Sequence, residues 1–127
     1  MKVNFTDKDM LKAALIACGL PASVIDVGNP QVPYFEYTGR NAGQCHVKVQ
    51  REHLGSGCND IAFELNPEGE SVMRLCDYAR RRVGNDFAEK VTREYAIAAT
   101  MQHYTNEGRE VHRQDASDGR VHLYVRA

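Results

Sequence analysis

Three stretches of the chain alternate apolar and polar residues with a period of two. Cys45, Val47 and Val49 alternate with His46, Lys48 and Gln50. Ile61, Phe63 and Leu65 alternate with Ala62 and Glu64, and Val121, Leu123 and Val125 close the chain in the same manner. In an extended strand successive side chains point to opposite faces, so this period predicts strands with one face in a core and one toward water. An antiparallel sheet wetted on one side meets that requirement.

Helical segments must supply the cover. Met10, Leu11, Ala14, Leu15 and Cys18 recur at three- and four-residue spacing, which predicts a helix over 7–18, capped by Thr6 and stopped by Gly19 and Pro21. Residues 87–107 contain neither proline nor glycine, follow Asp86 as a cap and end at Gly108, which predicts a long helix. On a helical wheel Phe87, Val91, Tyr95, Ala98, Met101 and Tyr104 fall on one arc, expected to cover the sheet. Glu89, Thr92, His103 and Glu107 lie opposite.

Residues 20–44 hold three of the four prolines and three glycines, so they are expected to be mostly loop, with a short edge strand at 34–38. Val3 and Phe5 suggest a first strand. Residues 71–76 follow a tight turn at 66–69 and are read as a returning strand. Residues 109–114 and 120–126 form a hairpin around Asp118-Gly119. The fold expected for residues 1–127 is therefore a single α+β domain: one antiparallel sheet of four to six strands packed by two amphipathic helices.

The run FAEKVTREYA, the small-residue helix AIAATMQHYTNEG, and the closing hairpin with DG before RVHLYVR carry a resemblance. With the segment DIAFEL at 60–65 and the opening helix ending in Gly19, the chain resembles the hypothetical chloroplast reading frame thirty-five family, which has plastid, cyanobacterial, bacterial and phage relatives. It departs from that pattern at Arg93-Glu94-Tyr95, where Gln-Arg-Tyr is expected, and at Arg109, where an aromatic residue follows the glycine. The family has no established activity, so the resemblance implies no catalytic residue. Some relatives look to be encoded near AAA-type ATPases, which implies a small accessory role.

Sixteen basic and seventeen acidic residues leave a formal net charge of −1, which removes the broad positive field that drives unspecific binding to nucleic acid or anionic membrane. No apolar run approaches the roughly 20 residues needed to cross a bilayer. Charges at Asp7, Lys8 and Asp9 stand where a signal peptide needs an apolar stretch, so a cytoplasmic or equivalent reducing compartment, such as plastid stroma or phage-infected cytoplasm, is expected. Cys18, Cys45, Cys58 and Cys76 are then thiols.

Chemistry-bearing groups are few. Cys45, His46, His53 and Cys58 lie close together in sequence, but without the paired spacing of a zinc knuckle, and Cys45 and His46 should point to opposite strand faces. A five-residue loop at 115–119 would set Gln114 opposite Arg120 and His112 opposite His122. Such a cross-strand imidazole pair could share a metal, although a solvated sheet face accounts for it as well. Arg80, Arg81 and Arg82, with Arg74 upstream and Tyr78 beside them, are the one basic cluster and suit a phosphate or an acidic partner. Cys58 with His53 is the remaining nucleophile pair. No GxSxG, HExxH or P-loop motif occurs.

No catalytic residue, metal or cofactor is assigned on this basis. The expected function is a non-catalytic protein-binding module presenting its sheet face or the aromatic segment Tyr34, Phe35 and Tyr37. The alternative is a nucleic-acid or nucleotide-binding regulator using Arg80, Arg81 and Arg82 with Tyr78 or Tyr34 as a stacking surface.

Overall fold

The computed structural model describes residues 2–3 and 5–126, the first two through their backbone alone. Its contacts divide into two units, Met1–Tyr95 and Ala96–Ala127. The first unit contains the main sheet, built from β1 (Lys2–Val3), β2 (Ile25–Phe35), β3 (Asn41–Val49), β4 (Ile61–Glu64) and β5 (Ser71–Arg74). Their spatial order is β1-β5-β4-β3-β2, and all neighbours are antiparallel. Helices α1 (Lys8–Ala17), α2 (Arg51–Leu54), α3 (Asp77–Val83) and α4 (Phe87–Asn106) complete an α+β fold. No helix among the described residues is long and apolar enough to cross a membrane.

The period-two pattern works as elementary sterics requires. Val47, Phe63 and Met73 form a cross-strand row, flanked by Val49 and Ile61, and all five are buried. They share one cluster with Phe5, Leu11, Leu15, Phe87 and Val91, so both expected helices contribute to it. Phe5 meets Phe63 edge-on at 6.1 Å between ring centroids and Tyr95 at 4.7 Å. Burying an aromatic or branched side chain of this kind contributes about 1.5–3 kcal/mol. The buried hydroxyl of Ser71 donates to the carbonyl of Phe5 and accepts from the Phe5 N–H at 2.9 Å, so it costs the core no unsatisfied group.

Several expectations need correction. The cap of α1 is Asp7, whose carboxylate accepts from the Met10 N–H at 3.0 Å. Thr6 instead stands one residue outside, where the Tyr95 hydroxyl accepts from the N–H groups of Thr6 and Asp7. The first strand is Lys2–Val3, position 4 lies outside the described residues, and Phe5 is already core.

The largest correction concerns residues 20–44. After a 3-10 turn at Ala22–Val24, residues Ile25–Phe35 form an eleven-residue strand, and β3 begins already at Asn41. Prolines 30 and 33 belong to this strand because β2 is the edge of the sheet, where a missing N–H can face away from the ladder. Between Val27 and Val32 the register shifts through a bulge that contains the cis Asn29–Pro30 peptide. Gly28 permits it: a Cβ there would lie 2.4 Å from the Cα of Gln31. The strand placed at 34–38 stops at Phe35, where the chain turns, with the Gly39 N–H on the Glu36 carbonyl at 2.8 Å. Ser71–Arg74 is the returning strand that was expected.

The second unit holds the later half of α4 and the hairpin β6 (Val111–Asp115) with β7 (Val121–Val125). β6 and β7 pair with each other as a separate two-stranded sheet, so the described residues form two sheets where one was expected. The edges of the main sheet are β1 and the proline-bearing β2. α4 starts and stops as expected, with Gly108 at φ +78 and the Arg109 N–H returning to the Tyr104 carbonyl at 3.0 Å. Phe87 and Val91 are buried, whereas Ala98, Met101 and Tyr104 are half-buried. The wheel missed Glu94, which is buried.

Candidate functional site

The polar phase of the main sheet carries a second cross-strand row, Lys48, Ala62 and Arg74, on the face opposite the core. At its β3 end Lys48 is buried and paired with Asp60 at 3.0 Å, the two side chains being 9% and 2% exposed. Asp60 is a hub. Its Oδ2 accepts from Lys48 Nζ and from the Phe35 N–H at 2.8 Å, its Oδ1 accepts from the Arg51 N–H at 2.7 Å, and its own N–H donates to the Phe35 carbonyl at 2.9 Å. A buried charge pair is tolerable only when its remaining lone pairs are filled in this way. Lys48 Nζ also lies 4.8 Å from the centroid of the Phe35 ring. The end of the edge strand is thus clamped by a charged network.

Beside this clamp opens a cleft of about 570 Å³, lined among others by Tyr34, Phe35, Asp60, Arg74, Cys76 and Arg80. Two of the expected aromatic residues and one of the three expected arginines therefore meet in one place. Tyr34 is positioned by Gly43, its paired residue on β3, where a Cβ would come within 3.3 Å of the ring. Arg74 is held by Glu64 at 3.2 Å and Arg80 by Asp77 at 3.3 Å.

The other expected residues disperse. Tyr37 is 61% exposed in the turn after β2, its N–H donating to Asn59 Oδ1 at 2.8 Å. Tyr78 is 58% exposed and lies over Gly57, with the Arg81 guanidinium 5.3 Å from its ring centroid. Arg82 turns to Gly55 and to a different cavity. Consecutive helical residues are rotated by about 100°, so on α3 the three arginines leave in three directions and make no single basic patch.

Cys45 and Cys58 are buried, Cys58 within the apolar cluster, His46 Nδ1 accepts from the Leu65 N–H at 3.0 Å, and His53 is exposed on α2. Among the described residues no three His, Cys, Asp or Glu side chains are grouped to hold a metal ion. Burial pushes the Cys45 thiol up to about 11, and burial, then the nearby Glu94, raises that of Cys18. Both stay protonated at neutral pH, the wrong state for a nucleophile.

The hairpin register differs from the expected one. His112 faces Tyr124 and Gln114 faces His122. The turn runs from Ala116 to Gly119, whose N–H donates to the Ala116 carbonyl at 3.1 Å with Gly119 at φ +88, and the Ala116 N–H closes it on the Arg120 carbonyl at 2.8 Å. Asp115 therefore pairs with Val121. Moving the loop by one residue moves every cross-strand partner by two, so the imidazoles keep one face but are diagonal neighbours. Both are exposed, His112 beside Glu110 at 3.7 Å and His122 beside Tyr124.

Lys48 went unrecognised because it reads as an outward residue of a half-wet strand, and Asp60 because it ends the turn-rich connector at 51–60. The signal that could have found them is Phe35, an aromatic side chain that needs cover and leaves polar-phase neighbours dry. No family model, no curated protein and no solved structure matches the chain.

Proposed function

We propose that this chain is a non-catalytic binding module that holds a segment of a protein partner in the cleft at the end of β2. The observation that carries the reading is the clamp on Phe35. Both its backbone N–H and its carbonyl are bonded to Asp60, so the aromatic wall of the cleft is fixed before any partner arrives. Preorganised aromatic side chains with arginines at the margin are what protein interfaces concentrate at their centres. The prolines of the edge strand disfavour capture by strand addition, which leaves side-chain contacts in the cleft as the means of recognition. An accessory role of this kind is also what the resemblance to the reading-frame family implies.

The test is selection from a random-peptide library displayed on phage, followed by titration of the enriched peptide into purified variants. Binding should fall about tenfold or more with Tyr34→Ser and with Arg80→Gln, circular dichroism reporting that both stay folded. Failure to enrich any peptide, or equal affinity for both variants, overturns the reading. Titration with a single-stranded oligonucleotide supplies the opposing arm: tight binding that weakens steeply with salt would favour the nucleic-acid alternative.

A further inference from the structure

β2 and β3 pair as far out as Phe35 with Asn41. Phe35 is nevertheless bonded to Asp60 and lies against Lys48, which stands seven residues beyond Asn41 on β3. A straight strand would hold Asn41 and Lys48 roughly 23 Å apart, so the tip of this hairpin is folded back over the polar face of the main sheet. Gly43, at φ +143, lies within the bend. The cleft already described lies between this tip and β5, and a second hollow of about 450 Å³ adjoins it through Val72, which lines both.

The strand common to the two hollows is β5. Ser71 and Met73 are buried, which turns Glu70, Val72 and Arg74 to the opposite face. Arg74 lines the cleft and Glu70 the second hollow, roughly 13 Å apart along the extended chain. Charge divides in the same direction. In the cleft Glu36 is answered by Arg40 and Asp60 by Lys48, which leaves the two guanidinium groups of Arg74 and Arg80. Around the second hollow the described lining residues include Glu64 and Glu70 but no lysine or arginine. Arg74 with Glu64 and Arg80 with Asp77 are partly exposed pairs, of the weak kind that a ligand's charges can replace. Gln31 and Gln44 line the same hollow with amides able to meet an extended backbone.

We infer that the partner segment is extended, lies along β5 beside the folded-back tip, and carries an acidic residue against Arg74 and Arg80 and a basic residue four positions away against Glu64 and Glu70. This rests on the binding-module reading above and specifies its ligand. The four-residue spacing follows from the strand rise, because an extended ligand advances along the groove at the same rate as β5 itself. A nucleic acid is disfavoured, since phosphates that follow the groove past Arg74 would meet two carboxylates.

The probe is the peptide enriched by the phage selection, whose sequence should hold Asp or Glu and Lys or Arg four positions apart. Replacing its basic residue by Glu should weaken binding about tenfold. Glu70→Lys should weaken binding of the original peptide to a similar extent and restore binding of the charge-reversed one. Glu89→Lys, an exposed acid on α4, should do neither. Restoration in Glu70→Lys also shows that the variant is folded. Binding that depends on Tyr34 and Arg80 but ignores both the peptide's basic residue and Glu70→Lys would overturn this inference and leave the binding module standing. Binding that ignores Tyr34 and Arg80 as well would overturn both.

Discussion

The two units are built on different physics. Every buried hydrophobic side chain among the described residues lies at or before Val91, whereas from Ala96 to Arg126 none is buried. The first unit owes its order to non-local burial. The second has a two-stranded sheet, a glycine-bearing turn and a run of exposed ion pairs, among them Arg113 with Asp115, Arg120 with Asp118 and Arg126 with Glu110. Exposed pairs contribute about 0–1 kcal/mol each, and an isolated hairpin is marginal in water. The hairpin should therefore open at a lower free energy than the main sheet does.

The largest effect that could break this contrast is core truncation. Phe63→Ala removes a fully buried ring that packs on Phe5, and should cost about 3–5 kcal/mol in a urea melt followed by circular dichroism. Leu123→Ala, in a half-buried position of β7, should cost about 1 kcal/mol or less. Equal losses would mean that the hairpin carries a core of its own.

Electrostatics provides the next test, because the same kind of pair exists wet and dry. Asp60→Ala strands the buried Lys48 ammonium and orphans the N–H groups of Phe35 and Arg51, a loss of about 3–5 kcal/mol. Asp118→Ala removes the exposed partner of Arg120 and should cost no more than about 1 kcal/mol. Added salt should shrink the second loss and leave the first. A salt-sensitive Asp60 would mean that water reaches the clamp.

What could be read from the residues follows the same division between local and non-local causes. The part of β3 from Cys45 on, β4, helix α1 apart from its cap, and the limits of α4 rest on periodicity and on local stop signals, and all were legible. β2 was not, because Pro30 and Pro33 argue against a strand unless it is known to be an edge, and only the pairing of the other strands decides that. In the candidate site Tyr34 and Phe35 were legible as aromatics in need of cover. The scattering of Arg80, Arg81 and Arg82 was implicit in their being consecutive on a helix. The Lys48–Asp60 pair depends on which polar-phase residues the end of β2 covers, and no local pattern encodes that. The imidazole register failed by the smallest margin available: the turn begins at Ala116 rather than Asp115.

The last test separates the units by pH. All four cysteines precede Ala96, so thiol ionisation can load the first unit alone. The Cys45 thiol, ordinarily 9.0, is pushed up to about 11, chiefly by burial. A pKa raised on folding means that the native state holds the proton more tightly than the unfolded chain does. The corresponding stability is whole below pH 9.0, drains away as pH rises toward 11, and is gone above it. At about 1.4 kcal/mol per pH unit the loss is on the order of 3 kcal/mol. Lysines and tyrosines also titrate there, so the measurement is a difference between wild type and Cys45→Ala in urea melts across the window. Cys45→Ala opens a small cavity and should be the less stable protein at neutral pH, but its deficit should narrow as pH rises. A constant deficit would show that water reaches the thiol, and the dry core assigned to the first unit would then end short of the middle of β3.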